Sequence, residues 1–380
     1  MRLLAVPTAV LALVLVPPVA EASVEFEELH RFGYASAIAE AVNESGQVAG
    51  RLNSPDRSPR SVRWDARGTV PAIVGSARPI GVNARGDVLN AMALKSAGAL
   101  IYSLSAWENG AEVDRTPYRR TTHQISSRDI NDSGVIPVGY RHFDDVEAPY
   151  GARTRAGAWR GGKYADLPLP KARGVDHRVV NNRGTTAGSL TLLDGSANYA
   201  FRCSATRCTR LPGLSSTGHH EVLALNESDV LAGTWHADHP GPSRALVWAG
   251  DRVTALPGDD ARVADNPRAI NESGDVVGWR VVDGVRKAAL WRGGQPVDLG
   301  TTGEGEAVAV NDRGDVVGWH TTDGKHKVFY WRTGTLTELR TPADVSAEPV
   351  GLNNAGVVVG NNDPDHWPPA YAYRWTVRLP

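Results

Sequence analysis

The chain has 380 residues, with 41 Lys and Arg against 42 Asp and Glu and a formal net charge of −1. The two signs are interspersed, which excludes the basic stripe of a nucleic-acid binder and the polybasic cluster of a membrane-surface protein. Forty Gly and twenty-four Pro punctuate it at short intervals, a composition suited to many short strands joined by turns and so to an all-β fold.

In chain order, the first element is a leader. Arg2 precedes an apolar run from Leu3 to Val16, followed by Pro17, Pro18 and the small-x-small string Ala20-Glu21-Ala22. This pattern predicts a secretory signal peptide over residues 1–22, cleaved after Ala22, and a secreted, extracellular protein. A membrane anchor is the competing reading, but the run is shorter than the roughly 20 residues that span a bilayer. No membrane span is expected elsewhere, and residues 23–380 are expected to form one monomeric domain.

That domain is built from repeats. The string N-x-x-G-x-V-x-G recurs at Asn43, Asn271, Asn311 and Asn353, with weaker copies at Asn83, Asn131, Asn181 and Asn226. An apolar run ending in Trp follows each one, at Trp64, Trp107, Trp159, Trp248, Trp291, Trp331 and Trp375; in the fourth unit Cys203 stands in the Trp place. Each unit reads as four strands: an apolar strand, an Asn-Gly turn, a second strand, a polar loop, a third strand ending at Trp, and a short fourth strand. Four antiparallel strands in 40–50 residues describe a β-propeller blade. Eight such units predict an eight-bladed ring. The last unit ends after its third strand, so the stretch Phe26 to Gly33 near the mature N-terminus is expected to complete it, which removes an exposed edge. A seven-bladed ring with one displaced unit is the nearest rival, because the Asn83 unit is the most degenerate.

The Trp set reads as packing between blades, with carbohydrate stacking as the alternative. Asn43, Asn131, Asn226 and Asn271 match the glycosylation sequon, a match ascribed to turn chemistry. Cys203 and Cys208 predict a disulfide in an exported protein, although two such Cys are also half of a zinc set.

The repeats resemble the HAF-type extracellular repeat family, whose units run Ile-Asn, G-x-V-V-G, H-A-F-x-W and D-L-G. The closest copies are Arg268 to Gly278 with Ala288 to Gly300, and the A-[FY]-x-[WC] core persists at Tyr199 to Cys203 and at Ala370 to Trp375. The eponymous His is missing. The resemblance covers nearly the whole mature chain and implies a secreted or cell-surface propeller. It implies no reaction.

Function is expected where the units differ, on the face carrying the loops between second and third strands. There the sequence places His142, Asp144 and Asp145; His219 and His220; His236, Asp238 and His239; Asp259 and Asp260; and Asp365, His366 and Trp367. A His and Asp cluster suits a divalent metal, with His219, His220, His236 and His239 as the candidate ligands; solvated loop side chains are the plainer reading, and no cofactor is otherwise implied. No nucleophile elbow, zinc-protease helix, phosphate loop or dinucleotide fingerprint occurs, so no catalytic residue is named. The leading expectation is an extracellular binding or interaction protein for a glycan, peptide or cell-envelope component. The alternative is a secreted propeller hydrolase or lyase, in which one of the histidines meets an acid near the axis.

Overall fold

A computed structural model describes residues 23–378, except 67–70, 97–98, 119–121, 143–153, 171, 196, 238–240, 259, 267, 343–344 and 363–368. The leader therefore lies outside the described residues. Among them no helix is long and apolar enough to cross a membrane.

The seventh unit shows how the sequence makes a sheet. Its strands are Gly305–Val310, Val316–Thr322, Lys325–Arg332 and Thr335–Leu339. The hairpin at Asp323-Gly324 has both residues at positive φ, +52° and +73°, and so does Thr333-Gly334, at +44° and +89°. Two consecutive positive φ values make the primed turn whose twist matches that of paired strands. Gly318, in the second strand, has no such torsional duty: a Cβ there would stand 2.2 Å from the backbone oxygen of Glu306.

Six sheets of this kind are separate and four-stranded, while those of the third and fourth units are joined through the single pairing of Thr154 with Ala172. The register repeats. The residue five after each Asn lies opposite the Trp position, as in Val48 with Trp64, Val316 with Trp331 and Val358 with Trp375. Thr186 faces Cys203 in the same way, which puts the cysteine at the Trp site. Cys203 is bonded to Cys208 as expected. The N-terminal strand, Ser23–Glu28, pairs antiparallel with Ala372–Arg378 of the eighth unit. It starts three residues and ends five residues earlier than the sequence suggests, and Phe32 and Gly33, which take positive φ, turn the chain instead of extending the strand.

The core lies between and within the sheets. Trp64, Trp248, Trp291 and Trp375 are fully buried. Their indole N–H groups donate to the carbonyls of His30, Pro212, Pro257 and Arg340, each just beyond the outer strand of the preceding unit. A buried indole needs an acceptor, and here that acceptor is the neighbouring sheet. In four units the Leu just beyond the outer strand has a matching role. Leu29, Leu167, Leu211 and Leu256 are buried and donate their N–H to Ala372, Ala156, Ala200 and Ala245, each three residues before the Trp position.

The repeated Asn does more than shape a turn. In every unit its side-chain oxygen accepts the N–H four residues on. Its carboxamide donates to the backbone oxygen of the next unit's Asn: Asn43 to Asn83, then Asn131, Asn181, Asn226, Asn271, Asn311 and Asn353 in order. Asn353 donates back to Asn43. All eight are at most 4 % exposed, so the sequon matches fall on amides that are already buried and engaged. The architecture is that of a β-propeller.

Candidate functional site

Three strand ends of the fifth unit meet on the face away from the Asn226 turn. Glu221 is on the first strand, His219–Leu225; His236 closes the second, Leu231–His236; Ser243 opens the third, Ser243–Ala249. His219, His236 and Ser243 are directly opposite one another in the register, and Glu221 is two residues beyond His219. Strand residues two apart, and residues directly opposite, share a face, so the fold puts these side chains together.

His236 bridges the set. Its Nε2 is 3.0 Å from Oε2 of Glu221 and its Nδ1 is 3.1 Å from Oγ of Ser243. Arg262, on the first strand of the next unit, donates from Nε to Ser243 Oγ at 3.1 Å. The N–H of Ser243 donates to Oδ1 of Asp260 at 2.9 Å. The hydrogen bond from His236 is the main reason the Glu221 carboxyl is held below its usual range, with Arg178 and Arg262 adding to it against the effect of burial. In the neutral tautomer with the proton on Nε2, the imidazole donates to Glu221 and leaves Nδ1 to accept from the serine hydroxyl. That is the division of labour of an acid–base–nucleophile relay, with the imidazole turned over relative to the usual one. The Arg262 N–H favours negative charge on the serine oxygen. Ser243 is buried, while the His236 and Glu221 side chains are 20 % and 44 % exposed.

Of the residues expected on this face, His236 and Asp260 converge. His220 points to the opposite side of its strand: it is buried, accepts from the N–H of Leu214 at 3.1 Å, and burial lowers its pKa. His219 is exposed at the start of the strand. His142 closes a strand of the third unit. Asp144, Asp145, Asp238, His239, Asp259, Asp365, His366 and Trp367 lie outside the described residues. Among the described residues no group of three or more His, Cys, Asp or Glu side chains is placed to hold a metal.

Glu221, Ser243 and Arg262 were not found from the sequence, since no local string marks them. Nor was the array that continues along the same side. The Arg286 guanidinium lies over both Trp279 and Trp319, 4.9 and 5.5 Å from the ring centres, and pairs with Glu306. His326 stacks on Trp319 at 4.2 Å and holds Glu348 at 2.7 Å.

No family model matches the sequence, and no curated protein matches it. Solved structures do. The chain is similar to a structure from a study of two prolyl endopeptidases, with 13 % identity and a TM-score of 0.57, over 88 % of this chain and 56 % of that one. It is similar to an acylaminoacyl peptidase of Pyrococcus horikoshii, with 10 % identity and a TM-score of 0.52, over 90 % and 60 %. The β-propeller domain of the Trilobed protease of Pyrococcus furiosus, described as having an open velcro topology, is matched over 99 % of its length and 81 % of this chain, with 11 % identity and a TM-score of 0.51. The chain thus spans 56 % and 60 % of the first and second proteins, and the likeness is one of fold. The expectation of a purely binding propeller is overturned here: the folds it shares belong to peptidases, and His236 lies within hydrogen-bond distance of an acid and a serine.

Proposed function

We propose that this protein is an exported hydrolase of acyl bonds, of the peptidase kind, on a closed eight-bladed propeller. The observation that carries the chemistry is the Glu221–His236–Ser243 relay with Arg262 on the serine oxygen. In this reading Ser243 attacks the acyl carbon, His236 takes its proton through Nδ1 and returns it to the leaving group, and Glu221 steadies the imidazolium. Water then releases the acyl group by the same route. The closed ring is supported by the return of the Asn relay from Asn353 to Asn43 and by the pairing of the N-terminal strand with the last unit. Export is supported by the leader pattern in residues 1–22.

The test is incubation of the mature protein with a fluorophosphonate probe and with short N-acyl peptide esters. Covalent modification at Ser243, and loss of ester turnover in both Ser243→Ala and His236→Ala variants of unchanged circular dichroism, are expected. No adduct at Ser243 together with no turnover would sink the hydrolase reading.

A further inference from the structure

The sixth unit departs from the others at one place. In the fifth, the first strand pairs Val222 with Gly233 and Leu225 with Leu231, three residues further on. In the seventh, Ala307 pairs with Gly318 and Val310 with Val316, again three on. In the sixth, Val263 pairs with Gly278, and the next pairing is Ile270 with Val276, seven residues further on. A one-residue bulge has been enlarged by four residues.

The enlarged bulge leaves its own sheet and reaches five other units. Asp265 Oδ2 accepts from Arg128 at 2.7 Å and Oδ1 accepts from Arg178 at 2.8 Å, in the third and fourth units. Asn266 donates to the carbonyl of Val350 in the eighth at 3.0 Å. Arg268 pairs with Glu44 of the first at 2.8 Å, and its carbonyl accepts from Val310 of the seventh at 3.0 Å. The segment is thus held at once by the first, third, fourth, seventh and eighth units.

The Arg128 and Arg178 pair is the unusual part. Two guanidinium groups from neighbouring units converge on one carboxylate, one oxygen each. Arg178 is only 11 % exposed and also pairs with Asp176. Like charges brought this close repel, and Asp265 relieves that. The planar, donor-rich guanidinium is suited to carboxylate recognition, and the geometry is that of a bound acid.

We propose that Arg128 and Arg178 form a carboxylate-binding site where the enlarged bulge meets the third and fourth units, that Asp265 is its built-in occupant, and that the site takes a free α-carboxylate such as a peptide C-terminus presents. This rests on the closed-ring reading but not on the chemistry at His236. An occupied site shows a weakened apparent affinity for an outside ligand, because only the fraction with the occupant displaced is competent.

The test is calorimetric titration and thermal denaturation of the full chain with acetate and N-acetylglycine, using N-acetylglycinamide as the uncharged control. Asp265→Ala is expected to bind N-acetylglycine at least about tenfold more tightly than the parent protein, with its melting temperature restored by the acid and not by the amide. Adding Arg128→Ala removes the response. Should Asp265→Ala fail to fold, Asp265→Asn keeps the side-chain shape without the charge and makes the same comparison. Equal binding by parent and variant, or a response to the amide as strong as to the acid, would overturn the proposal. Because neither readout involves turnover, a negative result here leaves the hydrolase reading to its own test.

Discussion

Asn353 donates a hydrogen bond from its carboxamide to the backbone carbonyl of Asn43, 2.9 Å away and 310 residues earlier in the chain. The same side chain accepts the N–H of Val357 at 2.9 Å. Replacing Asn353 by Ala leaves the buried Val357 N–H without its acceptor, at a cost of about 1–3 kcal/mol, and removes one of two donors from the Asn43 carbonyl, which keeps the N–H of Gly46. The urea midpoint of Asn353→Ala should fall accordingly. A variant within about 0.5 kcal/mol of the parent would show that the relay does not join the ends.

A second ring lies outside the first and has one gap. The residue after each Asn accepts, through its side chain, the N–H of its counterpart one unit earlier: Asp132 from Ala84, Asn182 from Asp132, Glu227 from Asn182, Glu272 from Glu227, Asp312 from Glu272, Asn354 from Asp312 and Glu44 from Asn354. Ala84 has no acceptor to offer Glu44. Ala84→Asp is therefore expected to stabilise the protein by about 0.5–1.5 kcal/mol, read as a higher denaturation midpoint. An unchanged or lower midpoint would count against this account of the turn face.

Cys203 fills, with its bond to Cys208, the place where other units put a Trp. The chain-entropy model for so short a loop predicts a loss of about 2 kcal/mol in the Cys203→Ser, Cys208→Ser double variant. A midpoint equal to that of the oxidised parent would show that the buried third strand, and not the cross-link, holds this hairpin.

Two buried groups pull the pH dependence of stability in opposite directions. Burial pushes Asp129 from 3.8 up to about 6, against the hydrogen bonds from Val180 and Ile130 and the charge of Arg268, while Glu227 adds to the rise. Its contribution is fully present below about pH 4 and is lost as pH rises through 6. Burial pushes His177 from 6.5 down to about 4, so its contribution is fully present above pH 6.5 and is lost as pH falls through 4. Each is worth roughly 3 kcal/mol, and between pH 4 and 6 they offset one another. Asp129→Asn should become steadily more stable from pH 4 to 6.5, and His177→Gln should show the opposite slope. Parallel urea midpoints for the two variants across that range would contradict both assignments.

The sequence by itself determined the repeat, its four-strand content, the turn residues, the Trp positions and the disulfide, because each depends on a local rule. Asn and Gly set a turn within a few residues, β-branched runs favour strands, and a single large apolar position recurs wherever neighbouring sheets must be filled. The N-terminal strand was legible for the same reason, as the piece missing from the last unit, with only its limits displaced by the turn at Phe32 and Gly33. Tertiary structure alone decided which polar residues meet. Glu221, His236 and Ser243 are spread over 23 residues and three strands, and they converge only because antiparallel register puts them on one face at one end of a sheet. Arg262 joins them from the next unit. The sequence placed His220 beside His236 as a possible partner, but the period of two along a strand turned it into the core. Asp265 is the clearest case. Its hydrogen bonds to Arg128 and Arg178 join residues 137 and 87 positions apart in the chain, and no local string marks them.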